Sequence, residues 1–419
     1  MRARGARFPF STPNKGADMR VFHFSEEPYP DAWSPDAKSL RITLPNRVCD
    51  PKTAADLYHR YLDEWALADE LGLDIMVNEH HSTATCLTAS CHVILSILAR
   101  ITSRARLLAL GVPIANRADP QRVAEELAMI DVISRGRFEM GFVKGVPFEP
   151  PVANLNPARM MDRLWEAHDF ILKAMTHQDG PFNWEGEYFH YRNVNIWPRP
   201  WQQPHPPVWI TASSLGSATA IAERGHVLAT FLLGYNTRAL FDKYRDVYRA
   251  THGREPGADR FGYLALCGVG ETEAEGIRRA TEVKRYIDTT GIVHEPFRNP
   301  PGYAPVADNV RMMRAIASGK SPRMIPTRNG EQIDVTKNFT TEKAMDAGLV
   351  FAGTPDQVYD QIVEFDQYAG GIGNLLLMMQ GGELSHRETS ASLTLFARHV
   401  LPRLKEYGAA RHQLAGAAE

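Results

Sequence analysis

From Val21 onward, short β-branched and apolar runs alternate with longer amphipathic runs, the pattern of parallel strands separated by helices. VFHF (21–24) predicts the first strand. Over residues 54–72, Leu57, Tyr61, Trp65, Ala68 and Leu71 recur at helical spacing and Gly72 stops the run. LDIMVN (73–78) follows as the second strand and ends in Glu79-His80-His81. The cycle repeats through a helix at 88–101, a strand at 105–114, a helix at 121–134 and a strand at 136–143. After a helix at 158–176 the pattern dissolves into a Trp- and Pro-rich stretch, which predicts a small β excursion at about 180–206. Strands at 207–212, 226–233, 261–269 and 371–379 complete the series, with helices at 215–224 and 384–404 among them.

Eight strands, each followed by a helix, is the count of a (β/α)8 barrel. A single TIM barrel of class α/β over residues 19–404 is therefore the predicted fold, with a doubly wound open sheet as the alternative. Residues 286–340 break the rhythm with HEPFRNPPGYAP and SGKSPRMIPTRNG and predict a lid over the active site, poorly ordered without ligand. Residues 1–18 read as an extension outside the fold and 405–419 as a C-terminal tail.

Composition narrows the function classes. A chain of 419 residues, 44% hydrophobic and 23% charged, has ample material for one large core. Its formal charge of -2 gives no reason to expect nucleic acid or an anionic membrane as partner, so a small molecule is expected instead. Four cysteines do not make a disulfide framework, and no apolar run reaches the roughly 20 residues of a membrane span. The N-terminal segment is basic but lacks an apolar signal core, and a cytoplasmic location is expected.

In a TIM barrel the chemistry sits just past the C-terminal ends of the strands. Glu79-His80-His81, Asn116-Arg117, Lys144-Gly145 and Ser213-Ser214 should therefore converge on one mouth. GFVKGV (141–146) places glycines around a lysine, so backbone amides can approach an anion while the ammonium supplies charge. TASSLGSATAIAERG (211–225) ends a strand with serines that can cap the next helix and leave its N-terminal amides for a phosphate. Taken singly, Ser213-Ser214 is a helix cap and Lys144 a surface lysine; on adjacent strand ends they describe a phosphomonoester pocket. His80 is a candidate general base or a hydrogen-bonded core residue. Glu79, His80, His81, Cys86, Cys91 and His92 could all ligate a metal, but their spacing fits no closed zinc pattern, so no metal is expected. Gly268-Val269-Gly270 is followed by acidic residues rather than a third glycine, so no Rossmann dinucleotide fingerprint is present there.

EHHSTAT (79–85), RLLALGVPIANRADPQRVAEELAMIDVISRGRFEMGFVKG (106–145), VWITASSLGSATAIAERG (208–225) and VFAGTPDQVYDQIVEFDQYAGGIGNLLL (350–377) together resemble the bacterial-luciferase-like monooxygenases, in the same order and over about residues 19–404. The resemblance implies FMN at the strand ends, its phosphate held by Lys144, Gly145, Val146, Ser213, Ser214 and Ser217, with a catalytic histidine at His80 and weaker roles for Glu79 and Asn116. It also implies a non-prolyl cis bond beside the flavin near Gly111-Val112. Val143 stands where luciferase has a cysteine beside the flavin, and Lys144 where it has an arginine, so a bidentate fork becomes a point charge. Ser213 replaces a carboxylate near the phosphate. Light emission is accordingly not expected.

The implied reaction takes reduced FMN from a separate NAD(P)H-dependent flavin reductase and, with O2, forms a flavin C4a-peroxide that oxygenates a small, largely apolar organic substrate. Phe24, Phe142, Phe231 and Tyr235 are candidates for the apolar wall, or for plain core packing. The alternatives are a deazaflavin-dependent dehydrogenase and a non-catalytic flavin-binding barrel on the same fold. A homo-oligomer, dimer or tetramer, is expected.

Overall fold

The computed structural model describes residues 19–34, 37–319, 321 and 323–416. The N-terminal extension expected at 1–18 lies outside them. The strands are β1 (Arg20–Phe24), β2 (Asp74–Val77), β3 (Leu107–Val112), β4 (Phe138–Phe142), β5 (Phe182–Glu185), β6 (His190–Val194), β7 (Val208–Thr211), β8 (Val227–Phe231), β9 (Phe261–Val269), β10 (Met324–Pro326), β11 (Gln332–Asp334), β12 (Val350–Gly353) and β13 (Asn374–Met378). Between and after them run α1 (Pro51–Glu70), α2 (Cys91–Ile101), α3 (Pro120–Ser134), α4 (Glu149–Val152), α5 (Met160–Thr176), α6 (Leu215–Glu223), α7 (Thr237–His252), α8 (Glu273–Thr290), α9 (Glu295–Arg298), α10 (Val306–Ala317), α11 (Thr341–Asp346), α12 (Pro355–Ala369), α13 (His386–His399) and α14 (Leu401–Gly416).

The parallel order β9-β13-β1-β2-β3-β4-β7-β8 closes on itself through β8–β9 pairing, giving the (β/α)8 barrel. The sequence pattern missed a ninth parallel strand. β9 is long enough to pair with β8 through its first half and with β12 through its second, Val350↔Leu266 to Gly353↔Val269. VFAG is too short and too close to the capped helix α12 to stand out by periodicity.

Alternation along each strand divides the core into two layers. Phe22, Phe24, Met76, Leu108, Leu110, Trp209, Leu264, Leu376 and Met378 fill the barrel. Val21, Ile75, Val77, Leu107, Ala109 and Met140 face the helices and meet Tyr61, Trp65 and Ala68 of α1 among others. α1 starts where it does because Asp50 accepts the Thr53 amide and Pro51 opens the first turn. Phe142 and Tyr235, candidates for a substrate wall, belong to this outer layer: Phe142 is fully buried and meets the edge of His168, and Tyr235 packs on Phe365 and Tyr368. Side-chain alternation settles this for Phe142, since a residue one position along a strand points to the opposite face, while Tyr235 lies past the end of β8 in a short 3-10 turn.

Two insertions behave differently. The expected excursion is the antiparallel hairpin β5–β6. The expected lid contains the end of α8, the short α9, the helix α10 and the antiparallel hairpin β10–β11. None of the residues of α10 is buried. The expected tail is helical as far as Gly416, because α14 carries on after α13 at Leu401.

Candidate active site

The parallel strands bring their C-terminal ends to one mouth, where residues after β1, β2, β3 and β4 come into contact. His80 follows β2, and its Nδ1 lies 3.1 Å from Oε1 of Glu149, at the start of α4 beyond β4. Its Nε2 lies 3.8 Å from Oε1 of Glu26, just past β1. Burial alone would lower the proton affinity of the ring. Hydrogen bonding to Glu149 and Glu26, with the charge of Glu26, outweighs it and raises the His80 pKa to about 9. That shift favours the protonated ring near neutral pH, a form that donates a proton or positive charge, and the ring becomes a general base only once that proton has left. The Glu149 carboxyl, despite its burial, is lowered to about 2 by hydrogen bonds to His80 and His81, the charge of His80 and the Val146 amide.

Asn116 joins this cluster, its Nδ2 donating to Glu149 Oε2 at 3.3 Å while its Oδ1 is buried without a partner. Glu79 takes another role. It accepts the Cys91 amide at the start of α2 at 3.0 Å, pairs with Arg117, and is fully buried at the side chain. It holds two strand-end loops together rather than facing the mouth. His81 lies 3.6 Å from Glu79 and 3.8 Å from Glu149.

Glu26, Glu27, Arg41, Glu149, Tyr286 and Tyr303 were not singled out in the sequence. Tyr286, from α8, donates to Glu26 and stacks near Trp33. Glu27 has a positive φ of 47° and accepts from Thr88, while its Oε1 is buried and unpaired. Burial raises its carboxyl, against the Thr88 bond, to about 7. The signal available for Glu26-Glu27 was an acidic pair directly after a buried strand. Glu149, inside PFEPP, and Tyr303, inside a Pro- and Gly-rich insertion, carried none.

Beyond the end of β4, Lys144 is half-buried, and burial lowers its pKa. Its Nζ donates to the Tyr303 carbonyl at 3.2 Å and lies 3.6 Å from that ring's centroid. The Tyr303 hydroxyl donates to the Gly145 carbonyl at 2.6 Å. The lid thus rests on the Lys144-Gly145-Val146 loop. Gly145 has φ +88°, a conformation that favours glycine.

Phe142↔Ile210 is the last pair between β4 and β7, which sets the Lys144 loop beside Ser213, Ser214 and the start of α6. Ser214 caps α6 by accepting the Ser217 amide at 3.3 Å, and its hydroxyl lies 3.0 Å from that of Ser217; Ser213 is exposed. On the other side of β4, Val143 donates to the Val112 carbonyl at 3.0 Å and packs so closely on Gly111 that a Cβ there would lie 2.3 Å from its Cγ1. A non-prolyl cis bond is present at Leu110-Gly111, one residue before the expected position.

A cavity of about 520 Å³ opens between the loops after β1 and β2, walled by Tyr29, Ile42, Leu44, Val48, Ala84 and Leu87. Among the described residues, no group of three or more His, Cys, Asp or Glu side chains is arranged to hold a metal ion. No helix among them is long and apolar enough to cross a membrane.

Comparison with known proteins gives the following. The luciferase-like monooxygenase family matches residues 40–371. An uncharacterized protein of Sinorhizobium fredii is 30% identical over 218 residues, 51% of this chain and 63% of its own length. The oxygenase component of a flavin-dependent trigonelline monooxygenase from Acinetobacter baylyi is 28% identical over 183 residues, 43% of this chain and 50% of its own length. The matched part of the chain thus spans between half and two thirds of these two relatives. Among solved structures, the monooxygenase RslO1 from Streptomyces bottropensis superposes with a TM-score of 0.70 at 22% identity, over 92% of this chain and 99% of that one. An F420-dependent secondary alcohol dehydrogenase does so with a TM-score of 0.62 at 15% identity, over 92% and 99%. At these identities the structural likeness is one of fold.

Proposed function

The chain belongs to the luciferase-like monooxygenase family, and from that premise we propose that it is an FMN-dependent oxygenase component served by a separate flavin reductase, acting on a small, largely apolar organic substrate. Bound reduced FMN would supply the reaction with O2. The observation that carries the reading is the pairing, at one mouth, of His80 after β2, held between two carboxylates, with the lysine-glycine loop after β4, suited to a phosphate and joined to His80 through Glu149.

The residues present fit the FMN phosphate. Lys144 would supply the charge, Gly145 leaves the loop free of a side chain, the Val146 amide and the Ser214 and Ser217 hydroxyls would supply donors, and α6 begins after β7, the strand next to β4. Val143, half-buried and packed on Gly111, offers apolar surface for a ring system, whereas Val112, expected there too, is fully buried in the outer layer because the strand alternation turns it toward the helices. His80 holds a proton between Glu149 and Glu26 and can present it, or its charge, to an oxygen that becomes negative during reaction. Asn116, through its unpaired Oδ1, is placed to orient a donor. The lid, through Tyr303, shields the phosphate loop from water. Phe24 and Phe231, on the barrel side of their strands, remain candidates for the apolar wall.

The test uses the purified protein with FMN, a generic flavin reductase, NADH and O2, with a substrate panel and H2O2 read alongside product. The protein should bind reduced FMN more tightly than oxidised FMN and should not oxidise NADH alone. Stoichiometric NADH consumption without the reductase, or retention of a deazaflavin in place of FMN, would overturn the reading.

A homo-oligomer also belongs to this proposal. Val93, Ile97 and Ile101 on α2 and Met129 and Ile133 on α3 form a stripe 38–59% exposed on two helices that pack together. Sedimentation should find a dimer or tetramer, and Ile97→Lys should shift it toward monomer.

A further inference from the structure

The amide that a phosphate would use is already engaged. The Val146 N–H donates to Glu149 Oε2 at 2.9 Å, and the Asn116 amide donates to the same oxygen at 3.3 Å. The other oxygen, Oε1, lies 3.1 Å from His80 Nδ1. One carboxylate therefore bridges the phosphate loop and the imidazole. It sits directly beneath the loop: a Cβ on Gly145 would lie 2.6 Å from Glu149 Oε2 and 2.7 Å from Asn116 Nδ2. A carboxylate against a peptide N–H makes the same charge-assisted bond that a phosphate oxygen makes, so Glu149 stands in for an anion there.

We propose that Glu149 is a positioning residue that couples occupancy of the Lys144-Gly145-Val146 loop to the protonation of His80. The proposal rests on the phosphate-site reading given above. When a phosphomonoester takes the Val146 N–H, Glu149 loses a donor and gains a dianion as neighbour. Both changes strengthen its hold on a proton, and the proton within reach is the one on His80 Nδ1. An occupied phosphate loop thus raises the pH at which His80 gives up its proton, and an empty one lowers it.

The groups facing this pair come from several elements. Glu149 lies at the start of α4; Glu26, at the end of β1, faces Nε2; and Arg41, from the following loop, adds positive charge that opposes protonation. The Phe148 ring lies 6.4 Å from the imidazole. His81 lies 3.8 Å from Glu149, and the Tyr303 hydroxyl feels its charge. Of all these, Glu149 alone contacts both His80 and a loop amide.

The experiment follows the His80 imidazole by NMR across pH in the full-length protein, with His80→Gln identifying its signals. It compares the free protein with protein saturated by inorganic phosphate, FMN or riboflavin. Phosphate and FMN should raise the His80 midpoint, and riboflavin, which lacks the phosphate, should not. By linkage, a rise of about one pH unit makes FMN affinity about tenfold weaker above the His80 transition than below it, with riboflavin affinity flat. Glu149→Gln should lower the midpoint of the free protein and abolish the response to phosphate while phosphate still binds; Glu149→Asp should restore part of it. An unchanged His80 midpoint in wild-type protein saturated with phosphate or FMN overturns the coupling, whatever the variants do. If FMN fails to bind but inorganic phosphate moves His80, the coupling stands and the FMN assignment falls.

Discussion

Both ends of the barrel bury carboxylates, and they treat them in opposite ways. At the N-terminal end, Glu139 of β4 accepts from Arg20, Arg106 and the Trp209 indole, with Arg20 Nη1 at 2.5 Å and the indole at 2.6 Å. Arg20 also reaches Asn374, so the network closes over four strands. Burial would raise the Glu139 carboxyl, but the charges and hydrogen bonds of the two guanidiniums hold it well below the usual carboxylate range. At the mouth, Glu26 and Glu149 share one imidazole, Glu27 accepts from Thr88, and Glu27 Oε1, Asn78 Oδ1, Asn116 Oδ1 and an Arg41 nitrogen are buried without partners. A satisfied network fixes a structure; an unsatisfied one holds polarity ready for something not made of protein. The satisfied network and the proposed site thus occupy opposite ends of the same barrel, the division this fold favours.

Substitutions can break or sharpen this contrast. The largest effect is expected at the mouth: His80→Ala should lower product formation by about 10²–10⁴-fold while flavin affinity moves by about tenfold at most, and H2O2 release should rise. Product, flavin affinity and peroxide measured together check this; full coupled turnover in the variant would remove His80 from the chemistry. At the opposite end, Glu139→Ala leaves two half-buried guanidiniums without their counter-charge and should cost about 3 kcal/mol in a denaturant titration, with the bound-state chemistry unchanged in the folded fraction.

Lys144→Ala should weaken FMN by roughly ten- to a hundredfold, about 1.5–3 kcal/mol, leave riboflavin binding unaltered, and lose its effect on turnover at saturating FMN. The smallest effect separates the two ends by pH. Glu27 has its folded pKa raised to about 7 from 4.5, so any stability it contributes is present below 4.5 and is lost as pH rises through 7. Glu27→Gln should therefore match wild type near pH 4.5 and exceed it by about 1–3 kcal/mol at pH 8. Glu139 has the opposite sign, its contribution being lost only as pH falls below the ordinary carboxylate range. Equal pH profiles for Glu27→Gln and wild type would show that the mouth carboxylates carry no such cost.

The alternation of apolar runs, the caps of the helices and the order of elements determined the barrel, because a strand buried on both faces and an amphipathic helix can satisfy their surfaces in few other ways. They also determined that the loops carrying His80, Asn116, Lys144 and Ser214 would share one rim, since parallel strands deliver their C-terminal ends to one side. The pattern did not reach β12, which exists only because β9 outlasts β8 and leaves an edge to be paired. Nor did it reach what each mouth residue does. Glu79 and His80 are adjacent in sequence, yet one caps α2 beside Arg117 and the other meets two carboxylates. Glu26, Glu149 and Tyr303 come from three separate segments, and only folding sets them around His80 and Lys144. The charge on His80 is likewise a tertiary property: burial and two carboxylates, distant in sequence, compete over one proton, and their balance is decided by ångström-scale distances that no local pattern encodes.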